Sequence, residues 1–217
     1  MSSILDVINV PLDVGCQVGL NLSLKNGEGS VIKTPPNARS QLLASEFLGL
    51  TSPTFGEIRF CEKLWDSMSA WEACRARGGI RRVFFKEGWV SNLSIMENIV
   101  LSEQHHTRRI DAELYAEANS YAIALGMPSV PSVRPSSVSE SILQRCSWVR
   151  SLMGDPALII MEWPTRHVEK TFWPALLDRL LVRMDSGTTV LILSDDKPFI
   201  DACEAHGIGC HALGHQT

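Results

Sequence analysis

The sequence predicts an α/β fold built on a buried, largely parallel sheet. Three observations lead there: short apolar runs without polar alternation, longer segments with helical spacing between them, and Gly/Pro punctuation at the joints. The run ALIIM, Ala157 to Met161, follows a Gly154-Asp155-Pro156 turn, and TTVLIL, Thr188 to Leu193, follows Ser186-Gly187. Both read as central strands, because a strand covered on both faces has no reason to alternate.

Three helices accompany them. Asp111 can cap a helix that carries Leu114, Ala118, Tyr121, Ala122 and Leu125 on one stripe, closed by Gly126. Ser139 can open a second, with Ile142, Leu143, Cys146, Val149 and Met153 inward and Gly154 at its end. Pro174, in a first-turn position, introduces Leu176, Leu177, Leu180, Leu181 and Met184, with Gly187 as the stop. Residues 126 to 137 read as loop, since Pro128, Pro131 and Pro135 preclude regular pairing.

The 217 residues, 45% hydrophobic and 20% charged, suffice for one large core or two closely packed subdomains. A formal charge of −4 gives no global basic field, so neither nucleic acid nor an anionic bilayer is an expected partner. The first twenty residues lack a signal-like pattern, because Asp6, Asn9, Pro11 and Asp13 interrupt it. No apolar run approaches the ~20 residues of a membrane span. A cytoplasmic chain that reaches a membrane only through a partner is the expectation. Cys16, Cys61, Cys74, Cys146, Cys203 and Cys210 form no C-x-x-C pair and read as reduced thiols.

Residues 22 to 60, LSLKNGEGSVIKTPPNARSQLLASEFLGLTSPTFGEIRF, run strand, Gly27-Glu28 turn, strand, loop, helix, and a GLTSPTFGEI turn into a further strand. This frame resembles the opening of an ABC-transporter ATPase. Further matches follow in that family's order: SNLSIMENIVL (91 to 101), SVSESILQRCSWVRSLMGDPALIIMEWPT (137 to 165) and VLILSDD (190 to 196). GWVSNLSIMENI and the later HHTRR are most similar to ATPases of Mla-type, MCE-associated lipid transporters. The resemblance implies one P-loop (RecA-like) ABC ATPase domain over 1–217. Its core and antiparallel β portion would occupy 1–86 and 151–217, with a helical subdomain at 87–150.

The resemblance also assigns site positions, and most hold the wrong chemistry. A phosphate loop needs glycines whose N–H groups converge on phosphate, a lysine, and a hydroxyl for magnesium. In KTPPNARSQ, residues 33 to 41, Lys33, Pro36 and Ala38 stand at the glycine positions and Arg39 at the lysine. Ser40 keeps the hydroxyl and Gln41 follows it. Pro35 and Pro36 have no N–H to offer. Glu162 falls at the magnesium carboxylate, Trp163 at the catalytic glutamate, Asp195 at the switch histidine and Lys86 at the γ-phosphate-sensing glutamine. In the signature segment Ser139 persists but Glu140, Ser141 and Ile142 replace two glycines and a glutamine, and Glu169 stands for the D-loop aspartate. No aromatic residue precedes Phe47 to stack adenine.

ATP and magnesium are therefore implied by the resemblance, while Lys33, Arg39, Ser40, Gln41, Lys86 and Glu162 are what remains to bind them. Ser139 and Glu140 would mark the dimer side. Such a chain is expected to be a non-hydrolysing partner of an integral-membrane permease, docked near Gly88 to Ile99. It would be paired with itself or with another ABC ATPase, with lipid as the cargo. Two alternatives stand beside it. One is an active, divergent ATPase using Arg39, Glu162 and Asp195. The other is a metal- or redox-responsive regulator built on Cys203, His206, Cys210, His211 and His215. By the resemblance that tail is a helix end and last strand, which would turn Cys210 and His211 to opposite faces and bring no metal site together. Adjacent His105 and His106 read as a solvated pair.

Overall fold

The computed structural model describes residues 2–12, 19–86 and 88–211. Strands β1 (Ser3–Pro11), β2 (Gly19–Lys25) and β3 (Gly29–Lys33) lead into helix α1 (Ala38–Phe47). A hairpin of β4 (Glu57–Phe60) and β5 (Lys63–Leu64) precedes α2 (Ala70–Arg77) and β6 (Ile80–Val83). Three helices come next: α3 (Ile95–His106), α4 (Asp111–Ala124) and α5 (Glu140–Leu152). The chain closes with β7 (Leu158–Glu162), α6 (Trp173–Asp185), β8 (Thr189–Ser194), α7 (Lys197–Ala205) and β9 (Gly209–His211).

Two sheets result. An antiparallel sheet has the order β2-β1-β4-β5, and a five-stranded parallel sheet has the order β6-β7-β8-β3-β9. Every residue of β7 and β8 is buried, which is why their sequences carry no alternation. Alternate side chains still serve different cores. Val31, Ile159, Met161, Val190 and Ile192 pack with α3 to α7, whereas Ile32, Leu158, Ile160, Leu191 and Leu193 pack with α1 and the antiparallel sheet. Helix α1 thus lies between the two sheets, with Leu43, Ala44 and Phe47 inward.

The turns behave as their residues dictate. Gly49, just past α1, sits at φ +61, and a Cβ there would meet the Trp65 ring at 2.4 Å. Gly56, at φ +85, lies 2.4 Å from the carbonyls of Ile8 and Asn9 by the same measure, so only glycine lets the chain enter β4 here.

Small differences from the sequence reading have local causes. Both central strands begin and end one residue later than expected, at Leu158–Glu162 and Thr189–Ser194. Ile110, not Asp111, is the N-cap of α4, because the Asp111 carboxylate is turned back to accept from Gln104 Nε2 at 2.7 Å. Ser139 caps α5 as expected, its hydroxyl accepting from the Ile142 N–H. Leu181 and Met184 of α6 are only half-buried. The expected boundary at Glu87 and the tail residue His215 lie outside the described residues.

The helices are tied to the sheet by charge as well as by packing. Glu103 of α3 is buried against Arg81 of β6, and Arg109 bridges to Glu117 of α4 at 2.6 Å. A buried pair of this kind adds little net stability but makes loss of either partner costly.

Candidate functional site

The loop between β3 and α1 is folded upon itself. Lys33 ends β3 in register with Ser194 and is exposed, and the Thr34 N–H donates to the Ser194 carbonyl at 3.2 Å. Asn37 caps α1 reciprocally: its Oδ1 accepts from the Ser40 N–H at 2.9 Å, and Ser40 Oγ accepts from the Asn37 N–H at 3.1 Å. The Ser40 hydroxyl also contacts the carbonyls of Pro35 and Asn37 at 2.9 and 2.8 Å, and the residue is buried. Its one proton is therefore shared between two carbonyls and one of its lone pairs is taken by the Asn37 N–H.

Arg39 points away from that loop. Its guanidinium makes a two-pronged pair with Glu46, at 2.7 and 3.0 Å, and also donates to the Pro11 carbonyl. The side chains are 9% and 1% exposed, so this is a fixed internal fork rather than a free cation.

Glu162, at the end of β7, is likewise occupied. Arg82 Nε of the adjacent strand donates to its Oε1 at 2.5 Å, and the same guanidinium reaches Ser45 Oγ and the Gln41 carbonyl of α1. Arg82 also lies over the Phe84 ring, 4.6 Å from its centroid. Burial raises the Glu162 carboxyl above the ordinary carboxylate range, while Arg82 and a backbone hydrogen bond from Phe85 oppose that rise. A fixed monocation thus sits against the carboxylate.

Trp163 and Asp195 meet directly: the indole Nε1 donates to Asp195 Oδ1 at 3.1 Å. Trp163 is buried, has φ +42, donates its N–H to the Leu193 carbonyl and packs edge-on against Phe85. Tryptophan rarely adopts this left-handed backbone, so three contacts hold it there.

The remaining candidates lie elsewhere. Exposed Lys86 lines a separate cleft with Glu140 and His167, whose Nε2 is 3.0 Å from Glu140 Oε2. Gln41 contributes its backbone carbonyl to Arg82. Glu169 caps a short 3-10 turn at Lys170–Phe172. In the tail, Cys203 is buried, its thiol pushed up to about 12 by desolvation, and His206 Nδ1 is engaged with the Ala202 carbonyl. His105 and His106 end α3 with their rings edge to face. Among the described residues no three His, Cys, Asp or Glu side chains converge on a metal position.

The donor set does not fit magnesium triphosphate. The loop lacks two N–H groups at Pro35 and Pro36, the hydroxyl is spent on helix capping, and the loop's arginine and the strand carboxylate are each paired internally. Arg82 escapes sequence reading because it lies 80 residues from Glu162, whereas Glu46 is seven residues from Arg39 on the same helix, two turns along. Two adjacent arginines in the four-residue, mostly buried strand IRRV are the available signal for Arg82: opposite faces of a buried strand each need an acid.

Between α1, β6 and α3 runs a groove of about 570 Å³, whose walls include Leu48, Ile80, Phe84, Val90 and Leu101. Val90 and Leu101 are 43% and 44% exposed.

No family model matches the chain. It is similar to the lipoprotein-releasing system ATP-binding protein LolD of Buchnera aphidicola subsp. Schizaphis graminum, 26% identical over 186 residues that cover 83% of this chain and 80% of that protein. The Nod factor export ATP-binding protein I of Bradyrhizobium diazoefficiens is 25% identical over 194 residues, 87% of this chain and 61% of that one. Among solved structures, the dimeric ATP-binding cassette MJ0796 bound to ADP and Pi superposes with a TM-score of 0.79 at 20% identity, covering 90% of each chain. CbiO1 from Clostridium perfringens, part of the ABC transporter complex cbiONQ, gives 0.70 at 19% identity over 90% of this chain and 80% of that one. The fold is that of an ATP-binding cassette, an α/β core with an antiparallel sheet and a set of helices.

Proposed function

We propose, with the cassette fold as premise, that the chain is a nucleotide-binding-type subunit of an ABC transporter that no longer hydrolyses ATP and serves as a structural or regulatory partner of a membrane permease. One observation carries the reading: the groups that would address phosphate and magnesium are each paired inside the chain instead, Arg39 with Glu46 and Glu162 with Arg82. Phosphoryl transfer depends on positioned positive charge, a metal and an oriented water, and Trp163 offers the water neither charge nor a proton acceptor. Placing a catalytic role on Arg39, Glu162 and Asp195 would require breaking three internal contacts, two of them buried ion pairs.

Among the described residues no helix is long and apolar enough to cross a membrane, so attachment falls to a permease. The groove with Val90 and Leu101 is the docking surface in this reading, and a helix end of the permease is its occupant. The cytoplasmic side of the membrane is then the chain's place, and a second cassette, the same or different, its lateral partner. Lipid as cargo rests on the resemblance of residues 88 to 99 and 105 to 109 to Mla-type ATPases and on similarity to a lipoprotein-releasing protein.

The test is paired. Purified chain should release phosphate from ATP no faster than an Arg39→Ala variant, while Val90→Asp and Leu101→Asp should each abolish co-purification with its permease at unchanged melting temperature. Transporter-like turnover that vanishes in Arg39→Ala would refute the first half. Undiminished co-purification of both aspartate variants would refute the second.

A further inference from the structure

Away from the phosphate loop, a cleft of about 320 Å³ opens between the loop after β6 and helix α5, with Arg166 and His167 across it. Its lining combines three cations with three aromatic rings. Arg166 stacks on Phe85, 4.4 Å from the ring centroid, and Arg150 stacks on Trp89 at 4.5 Å. Lys86 Nζ stands 5.7 Å from the Phe85 centroid. A ring beneath a guanidinium fixes its plane and leaves the N–H edges pointing outward, the geometry that grips a tetrahedral or planar oxyanion with two parallel bonds.

These cations differ from the arginines that are tied into internal ion pairs. Arg39, Arg81, Arg82, Arg109 and Arg183 each pair with a carboxylate. Among the described residues Arg150, Arg166 and Lys86 pair with none, although Arg150 donates to the Gly88 carbonyl. Burial lowers the Arg150 guanidinium to about 10, which leaves it charged at neutral pH. The acid in the cleft, Glu140, is held by His167 at 3.0 Å. The wall between the charges is apolar, with Phe84, Trp89 and Leu143.

We propose that this cleft binds a small phosphate ester carrying one planar ring: the dianion meets Arg150, Arg166 and Lys86, and the ring lies against Phe85, Trp89 and Leu143. The volume is near the lower end for ligand pockets, which limits the occupant to roughly a single ring beside its phosphate. None of residues 33 to 41, nor Glu162, lines the cleft, so its occupancy is independent of whether triphosphate binds at the phosphate loop.

Phenyl phosphate is the probe, titrated calorimetrically into the full chain beside inorganic phosphate and benzyl alcohol. Phenyl phosphate should saturate one site and bind about tenfold or more tightly than inorganic phosphate, with no saturable heat from benzyl alcohol. Arg166→Gln and Lys86→Gln, both at accessible positions, should each weaken it roughly tenfold, the size of one charge-assisted hydrogen bond, with melting temperatures unchanged. Absence of saturation in the millimolar range, equal affinity for inorganic phosphate, or undiminished binding in both variants would overturn the assignment.

Discussion

Replacing Arg82 with methionine is expected to cost about 3–5 kcal/mol of unfolding free energy at pH 7, the penalty of leaving one member of a buried ion pair alone. Glu162 is 1% exposed at its side chain and touches Arg82 from a neighbouring strand, so no solvent can take the guanidinium's place. The cost should depend on pH in a definite sense. Burial already holds the Glu162 carboxyl above the ordinary range, and Arg82 is one of the groups restraining that rise. Such a group contributes stability that is fully present below its unfolded value, about 4.3, and lost as pH rises through its raised folded value. Removing Arg82 raises the folded value further. The deficit of Arg82→Met relative to wild type should therefore shrink as the pH falls from 7 towards 5, because Glu162 takes up a proton. Urea unfolding at the two pH values measures this, and the Arg82→Met/Glu162→Leu double variant should recover most of the loss. A deficit that grows on acidification, or a double variant no better than the single, would mean that the pair does not govern the site.

The second large effect concerns the residue at the catalytic position. Trp163→Glu restores, by sequence, the acid that hydrolysis requires, and it should nevertheless produce no turnover. Nothing else in the site is thereby released: Arg39 remains on Glu46, Arg82 on Glu162, and Pro35 and Pro36 still lack donors. The substitution should also destabilise the chain by about 3–5 kcal/mol, as loss of a buried tryptophan does. It removes the edge contact with Phe85 and the donor to Asp195, and sets a new carboxylate beside Asp195 and Glu162. Urea unfolding and phosphate release on the same preparation check both halves. Turnover appearing without loss of stability would show the site to be one substitution from activity.

Much of this architecture is legible from residues alone. The unalternating runs of β7 and β8 mark strands covered on both faces, and Ser139, Gly126, Gly154 and Gly187 mark helix ends where the chain does turn. The GLTSPTFGEI segment is legible for a steric reason, since Gly49 and Gly56 stand where a Cβ would strike Trp65 or the β1 backbone. What the sequence conceals is where charged side chains turn. Arg39 reads as a phosphate-facing cation, yet its partners are Glu46, two helical turns along, and the carbonyl of Pro11 from another sheet. Ser40 reads as a surviving metal-binding hydroxyl and is consumed by Asn37, whose capping role competes with it. Lys86 reads as part of the same cluster and lies in the cleft with Arg150 and Arg166. The contacts of Arg39 with Pro11 and of Lys86 with its cleft depend on long-range register, which local pattern does not encode, whereas those of Arg39 with Glu46 and of Ser40 with Asn37 turn on which of several local partners a side chain takes.

The internal neutralisation of the site is tested most directly by titrating Mg-ATP into the wild-type chain in a calorimeter. No binding heat up to millimolar concentration is the predicted result, since the arginine and the carboxylate are both already paired. A saturable one-to-one isotherm of micromolar affinity that is lost in Arg39→Ala would contradict it, for it would mean that Arg39 leaves Glu46 to hold phosphate.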